Sequence, residues 1–170
     1  MELSLLHAAS PRIENQAALV VAFDLDNTII CADDSGNVHL RPGMIEAMQW
    51  LSSRGHKVWI CSSADRQWVD LVFKRFPALG CHTERIMSCE DIDPATCGIR
   101  QFKDIIRLGI DLLVDDHEPY REDARRIYGD GVANRYIILP KFTAEVLGIE
   151  DGWRKCLTDK ILCHEKCDGQ

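Results

Sequence analysis

One stretch of the sequence, VVAFDLDNTII over residues 20–30, decides the fold that we predict. It contains the end of an apolar, partly β-branched run from Ala18 to Phe23, which is typical of a strand buried on both faces of a parallel sheet. Asp24 follows this run directly, and Asp26 stands two residues further on. Because side chains along an extended backbone alternate with a period of two, we expect both carboxylates to point the same way.

Strand-like and helix-like segments alternate through the rest of the chain. Further strands are predicted at Lys57–Cys61, around Ile86, at Ile110–Val114 and at Arg135–Leu139. Helices are predicted at Met44–Leu51, Trp68–Phe76, Phe102–Leu108 and Pro119–Tyr128, from apolar spacing and helix-stop residues. This alternation implies parallel strands joined by crossovers, so the fold class is α/β, a three-layer sandwich with a mainly parallel central sheet.

Length, composition and charge fit one globular domain. The chain has 170 residues, of which 46% are hydrophobic and 28% are charged. Its net charge of −7 disfavours a non-specific nucleic-acid binder. The N-terminus lacks the basic and apolar regions of a secretory signal, and no apolar run approaches the length of a membrane span. We therefore expect a cytoplasmic protein without membrane contact.

Polar side chains follow three of the predicted strands. They are Asp24 and Asp26 after the first, Ser62 and Ser63 after the second, and Asp115 and Asp116 after a later one. In open α/β sheets ligands bind outside the carboxyl ends of the strands, so we expect these groups to converge at one crevice. Four crowded carboxylates repel one another, and a bound divalent cation would offset that repulsion. The pattern therefore predicts a hard-cation site.

The pair Asp24 and Asp26 suits phosphoryl chemistry. One carboxylate can attack phosphorus to form an aspartyl-phosphate while its neighbour transfers protons. A magnesium ion would neutralise the charge that otherwise repels the nucleophile from the phosphate. Taken alone, the D-x-D pattern is equally compatible with turn and cap chemistry at a strand end.

These residues resemble the four motifs of the haloacid dehalogenase superfamily, whose hydrolases form an aspartyl-phosphate. Residues 20–30 match the first motif, an apolar strand followed by D-x-D-x-T, and the strand ending at Ser62 matches the second. Lys103 stands at the third motif, and Asp115 with Asp116 forms the acidic pair of the fourth. The resemblance implies a Rossmann-like fold and a Mg2+-dependent phosphoric monoester hydrolase.

Within that superfamily the sequence is more similar to the phosphatases of the RNA polymerase II C-terminal domain, the NLI-interacting-factor-like family. Residues 38–43, 62–65, 103–109 and 114–119 carry this similarity. The chain has Ser62 where the family usually has threonine. The segment Cys31–Leu40 is expected to be too short for the additional strands that shape the peptide groove of eukaryotic members. Small capless phosphatases of the same superfamily are therefore a close alternative.

The resemblance implies a role for each motif residue. Asp24 is implied as the nucleophile, and Asp26 as the general acid and later the general base. The implied phosphate-binding residues are Thr28, Ser62, Ser63 and Lys103. The implied Mg2+ ligands are Asp24, the main-chain carbonyl of Asp26, Asp115, and Asp116 directly or through water.

Alternatives remain open at two of these positions. Ser62 is also compatible with a helix N-cap, in which case Ser63 would take its role. Lys103 is also compatible with a solvated helix residue, with Arg100 as its substitute. Trp68 is read as core packing because its spacing is helical. Cys31 and Cys61 are read as small core or loop thiols.

Loop lengths indicate that the chain has no cap domain. Only 33 residues separate Thr28 from Ser62 and 40 separate Ser62 from Lys103, and neither interval leaves the ~50 residues of a separate domain. We predict an N-terminal extension over 1–17, a catalytic domain over 18–150, and a C-terminal tail over 151–170 packed on that domain or extending from it.

The expected substrate is a phosphorylated molecule, and an uncapped site suits a phosphoprotein or another large substrate. The alternatives are a small-molecule phosphatase for nucleotides or sugar phosphates, a phosphotransferase, and a non-catalytic phosphate-binding module. The remaining cysteines and two histidines form two clusters without a paired C-x-x-C, so a zinc site there is the less favoured interpretation.

Overall fold

The computed structural model describes residues 17–96, 101–147 and 152–167. Nearly all of the predicted N-terminal extension, over 1–17, lies outside these ranges. These ranges contain seven strands: β1 Val20–Phe23, β2 Ile30–Ala32, β3 Val38–Leu40, β4 Lys57–Cys61, β5 Arg85–Met87, β6 Leu112–Asp115 and β7 Tyr136–Ile138. The α-helices are α1 Met44–Ser53, α2 Arg66–Arg75, α3 Pro77–Gly80, α4 Cys89–Ile92, α5 Ile105–Leu108, α6 Glu118–Tyr128, α7 Asp130–Ala133 and α8 Trp153–Cys167.

Five of the strands form one parallel sheet in the order β5-β4-β1-β6-β7. The chain moves outward from the central strand β1 to β4 and β5, then crosses to the other side for β6 and β7. The strand order thus reverses beside β1, which is where ligands bind in sheets of this kind. The predicted fold class, α/β with a mainly parallel central sheet, is confirmed.

Helices cover both faces of the sheet. Val21 and Phe23 pack with α1, α2 and α8 on one face, while Ala22 packs with α5, α6 and α7 on the other. Alternate residues of β1 therefore enter two separate cores, as the apolar run in the sequence requires. The result is the predicted three-layer sandwich.

The structure differs from the sequence prediction after β1. An antiparallel hairpin of β2 and β3, which was not among the predicted strands, follows the turn after β1. The Asp33 carboxylate closes its turn by accepting the backbone N–H groups of Ser35 and Asn37 at 2.9 and 2.8 Å. Strands of three residues are too short to show a period of two in the sequence, which is why this hairpin was not predicted.

A second difference concerns the helix predicted over Phe102–Leu108. Only Ile105–Leu108 is helical, because Asp104 acts as its N-cap and accepts the backbone N–H groups of Ile106 and Arg107. Phe102 and Lys103 therefore precede the helix in irregular backbone.

The last described segment of the chain forms the helix α8. Trp153, Leu157 and Ile161 recur every four residues along it and are buried in the core that contains Phe23. Helix α8 therefore contributes one apolar face to this core. Within the described ranges, none of the helices has the length and apolar composition that crossing a bilayer requires.

Candidate active site

Asp24 lies at the carboxyl end of the central strand. Phe23, the residue before it, pairs with Ile60 of β4 and with Val114 of β6, so Asp24 stands level with the ends of both neighbouring strands. Its backbone N–H donates to the carbonyl of Val114 at 2.8 Å, and only 6% of the residue is exposed. The parallel register therefore places this carboxylate at the edge of the sheet where the strand order reverses.

A tight turn carries Asp26 past the end of the strand. Asn27 adopts a left-handed backbone conformation with φ of 61°, which Asn tolerates better than most residues. The Asn27 N–H donates to the carbonyl of Ile30 at 2.7 Å, and the Asn27 carbonyl accepts the N–H of Phe142 at 2.6 Å. These bonds hold the loop between β1 and β2 in one conformation, with Asp26 half-buried beside Asp24.

Lys103 is the cation of the site. It is 1% exposed, and its ammonium donates to Asp24 Oδ1 and, at 2.8 Å, to Asp115 Oδ2. The hydroxyl of Tyr136 donates to the Lys103 carbonyl at 2.8 Å and so fixes its backbone. The alternative of a solvated helix residue does not apply to Lys103, since the side chain is buried against two carboxylates. Arg100 lies outside the described residues.

Three carboxylates form a group that can hold a metal ion. One oxygen each from Asp24, Asp115 and Asp116 lies within 4.8 Å of the others. Carboxylate oxygens are the hard donors that Mg2+ takes, so this donor set fits the expected ion. Asp116 is oriented by the buried hydroxyl of Thr28, which donates to its Oδ1 at 3.3 Å. Thr28, which was predicted to bind phosphate, therefore contacts Asp116 of this carboxylate group in the structure.

Burial dominates the titration of the acidic groups. It raises the pKa of Asp24 to about 7, against the opposing effect of Lys103 and with a smaller contribution from Asp115. Burial also raises the pKa values of Asp26 and Asp116. Burial works to lower the pKa of Lys103, but Asp115 and Asp24 outweigh it and hold that pKa well above its ordinary value. The site thus contains four carboxylates and one ammonium, and this excess of acidic groups favours a further cation there.

The two serines after β4 occupy different environments. Ser62 is fully buried, and its Oγ accepts the N–H of Ala64 at 3.1 Å. The N-cap of α2 is Asp65, whose Oδ1 accepts the N–H of Trp68 at 2.8 Å, so Ser62 is not needed as the cap. Ser63 Oγ lies 3.3 Å from the hydroxyl of Tyr120. The hydroxyl proton of Ser62 remains a donor for a bound anion.

Solved structures with a similar fold were found. Two are of the RNA polymerase II CTD phosphatase Fcp1, one of them a fission yeast variant bound to beryllium fluoride. Both have a TM-score of 0.50, at 13% and 14% identity over 86% of this chain. The chain spans about half of those structures, 50% and 48%. The chain has the haloacid dehalogenase fold.

The similarity to that fold rests on structure, since no protein-family model and no curated protein sequence matches the chain. A 3-deoxy-D-manno-octulosonate 8-phosphate phosphatase from Moraxella catarrhalis, solved with magnesium, phosphate and KDO, has a TM-score of 0.37. It is 20% identical over 67% of this chain and 66% of its own, which is too little similarity to show a shared fold.

Three aromatic residues lie around the site without having been predicted to contact it. Tyr136 holds the backbone of Lys103, and the Tyr120 ring lies 5.4 Å from the Lys103 ammonium. The indole N–H of Trp68 donates to Asp26 Oδ1 at 2.9 Å, although we interpreted this residue as core packing. The sequence carried no signal for these contacts, because an aromatic residue at helix or strand spacing is normally explained by the core.

None of the cysteines in the described part of the chain belongs to the carboxylate group of the site. Cys61 is buried beneath it, and burial raises the pKa of its thiol to about 12, so the thiol stays protonated. Cys89 is disulfide-bonded. Among the described residues, Asp24, Asp115 and Asp116 form the one cluster with metal-ligand geometry, so the zinc alternative finds no support in that part of the chain.

Over the described ranges, no cap domain covers the candidate site. The hairpin of β2 and β3 and helix α1 occupy the interval between Thr28 and β4, while short helices and β5 follow α2. These elements account for the described parts of both intervals in which a cap domain would be inserted.

Proposed function

We propose that this protein is a magnesium-dependent phosphatase that hydrolyses phosphomonoesters through an aspartyl-phosphate on Asp24. The observation that carries the proposal is the buried contact of Lys103 with both Asp24 and Asp115, next to Asp26. An ordinary structural ion pair needs only one carboxylate. Here a carboxylate that can act as nucleophile, a carboxylate that can act as general acid and an ammonium that can bind phosphate lie at one strand end. The shared fold with Fcp1 supports the proposal.

In the first step, a carboxylate oxygen of Asp24 attacks phosphorus and forms the new P–O bond. The bond between phosphorus and the ester oxygen breaks, and Asp26 donates a proton to the departing alkoxide. Its raised pKa favours the protonated acid that this step requires. Lys103 and the hydroxyl of Ser62 would stabilise the charge on the equatorial phosphoryl oxygens.

In the second step, Asp26 takes a proton from water, and the water oxygen attacks phosphorus. The P–O bond to Asp24 breaks, which releases inorganic phosphate and restores the carboxylate. Asp24, Asp115 and Asp116 would hold Mg2+, together with the main-chain carbonyl of Asp26, and the ion would supply charge neutralisation during phosphoryl transfer.

The open site supports a large substrate, and we propose a phosphoprotein. The two Fcp1 structures are of a phosphatase that acts on the CTD of RNA polymerase II, which is a protein substrate. Nucleic acid is disfavoured by the net charge of −7. The cytoplasmic location stays a prediction.

The test compares two aspartate variants on 4-nitrophenyl phosphate with Mg2+ and with EDTA. D24N removes the nucleophile and should lower kcat by about 10³-fold or more. D159N changes an exposed aspartate of α8 that pairs with Lys155, and should leave kcat unchanged. Wild-type turnover that survives in D24N would refute the mechanism.

A panel of phosphopeptides, nucleotides and sugar phosphates then separates the substrate classes. Preference for phosphopeptides supports the protein substrate, and preference for nucleotides or sugar phosphates favours the small-molecule alternative. Absence of turnover on every member, with phosphate still bound, would instead identify a non-catalytic binding module.

A further inference from the structure

Trp68 connects helix α2 to the acid of the site. The residue lies in the first turn of α2, where its backbone N–H is held by the N-cap Asp65 at 2.8 Å. Its side chain extends to the loop after β1, and the indole Nε1–H donates to Asp26 Oδ1 at 2.9 Å. One residue is thus fixed at both ends, by the helix cap and by the carboxylate.

This hydrogen bond restricts the carboxylate of Asp26. Within the described ranges, Trp68 is the one side chain that hydrogen-bonds Asp26. A carboxylate without a partner rotates freely about its side-chain bonds, whereas one held at Oδ1 presents Oδ2 in a defined direction. An indole N–H is a donor only, so it does not exchange protons with the acid.

The same indole borders the groove along the exposed side of α2. This groove has a volume of about 450 Å³ and is lined by Trp68 together with Asp65, Gln67, Asp70, Leu71 and Lys74. Trp68 is half-buried, so part of its ring lies in the groove while its N–H reaches Asp26. The groove therefore opens next to the group that would meet the departing alcohol.

We propose that Trp68 is a positioning residue that aims Asp26 at the leaving-group oxygen. The inference rests on the proposed phosphatase function, because only that function gives Asp26 a leaving group to protonate. A misplaced general acid lowers the rate most for esters whose leaving-group oxygen must be protonated in the transition state. An alkoxide is a strong base and needs the proton in the transition state, whereas 4-nitrophenolate is a weak base and leaves without it.

The test therefore compares kcat/KM for benzyl phosphate and 4-nitrophenyl phosphate in W68F. Phenylalanine keeps an aromatic ring at the groove and removes the N–H. We expect kcat/KM to fall about tenfold or more for benzyl phosphate and less than about threefold for 4-nitrophenyl phosphate. In the D26N background, W68F should add no further loss on benzyl phosphate, because the residue acts through Asp26.

W50F is the matched control. Trp50 is also half-buried on a ten-residue helix, α1, where its ring lies against Arg54, and within the described ranges its side chain hydrogen-bonds no residue of the site. W50F should leave the ratio of the two kcat/KM values unchanged. A W68F variant in which both values fall equally, or neither falls, overturns the inference and leaves the phosphatase proposal intact.

Two other results also decide the matter: a wild type that hydrolyses neither ester, and a W68F variant that does not fold. A wild-type protein that hydrolyses neither ester overturns the phosphatase proposal, and the inference with it. Should W68F not fold, the contact is tested in D26A by NMR of the four tryptophans. One indole N–H cross-peak should shift relative to the wild type, and a spectrum in which none shifts overturns the inference.

Discussion

Replacing Lys103 with methionine would leave two buried carboxylates without their shared cation. The ammonium is 1% exposed and contacts both Asp24 and Asp115, whose side chains are 9% and 1% exposed. Removing one partner of a buried ion pair costs about 3–5 kcal/mol, because the remaining charge has no compensation. We expect K103M to lower the free energy of unfolding by about this amount, a large share of the roughly 5–15 kcal/mol that holds a domain together.

The loss should depend on pH. The pKa of Asp24 is already raised to about 7 by burial, so the carboxyl can take up a proton when its cation is removed. A protonated Asp24 is neutral and needs no cationic partner, so the loss of unfolding free energy caused by K103M is smaller at low pH. The difference between wild type and K103M should therefore be larger at about pH 8 than at about pH 6.

The assay is urea unfolding followed by tryptophan fluorescence in EDTA, with thermal melts alongside. A loss of about 3–5 kcal/mol corresponds to a fall in Tm of roughly 6–20 °C for a domain of this size. K155M is the matched control, since Lys155 pairs with Asp159 on the surface of α8 at 2.6 Å, and their side chains are 83% and 60% exposed. An exposed ion pair contributes little to the free energy of unfolding, so K155M should unfold at the same urea concentration as the wild type.

The reasoning would be refuted by a K103M protein that unfolds at the same urea concentration as K155M. A second variant tests the cause of the loss. D24N in the K103M background removes one of the two uncompensated charges and should recover part of the stability at about pH 8. If the double variant is less stable than K103M, lost packing of the lysine stem explains the effect better than charge.

Three further predictions concern other parts of the chain. In EDTA, the stability of the wild type should fall relative to that of D24N as the pH rises from about 4 to about 7. Folded Asp24 keeps its proton up to a pKa of about 7, whereas unfolded Asp24 keeps it only up to 3.8. Melting temperatures of the two proteins that change in parallel with pH would contradict this. N27V should lower the free energy of unfolding by about 1–2 kcal/mol while N27G costs less, since only the β-branched residue is strained at φ of 61°; equal urea midpoints would argue against it. L157A should cost about 2–5 kcal/mol through a cavity in the core, whereas the exposed K160A should not; similar melting temperatures would show that α8 contributes little.

Much of the fold was predictable because it depends on local pattern. The run ending at Phe23 is buried on both faces, and β4 has the bounds that its apolar residues predicted, Lys57–Cys61. Parallel strands must place their carboxyl ends at one edge, so Asp24, Asp115 and Asp116 were expected to meet, and their oxygens do lie together. Short elements such as the hairpin of β2 and β3 were missed because three residues carry no readable period.

The sequence by itself determined which acids end the strands, since strand register follows from apolar runs and each carboxylate comes directly after its run. Only the tertiary structure decided what surrounds those acids. Lys103 reaches Asp24 across 79 positions of sequence, and Trp68 reaches Asp26 across 42. Neither contact has a local signature, because a lysine before a helix and a tryptophan within a helix have the same sequence pattern whether they are exposed, in the core or bound to a carboxylate. Burial and distance arise only when the layers pack, and they make Lys103 the cation between Asp24 and Asp115 and Trp68 the hydrogen-bond partner of Asp26.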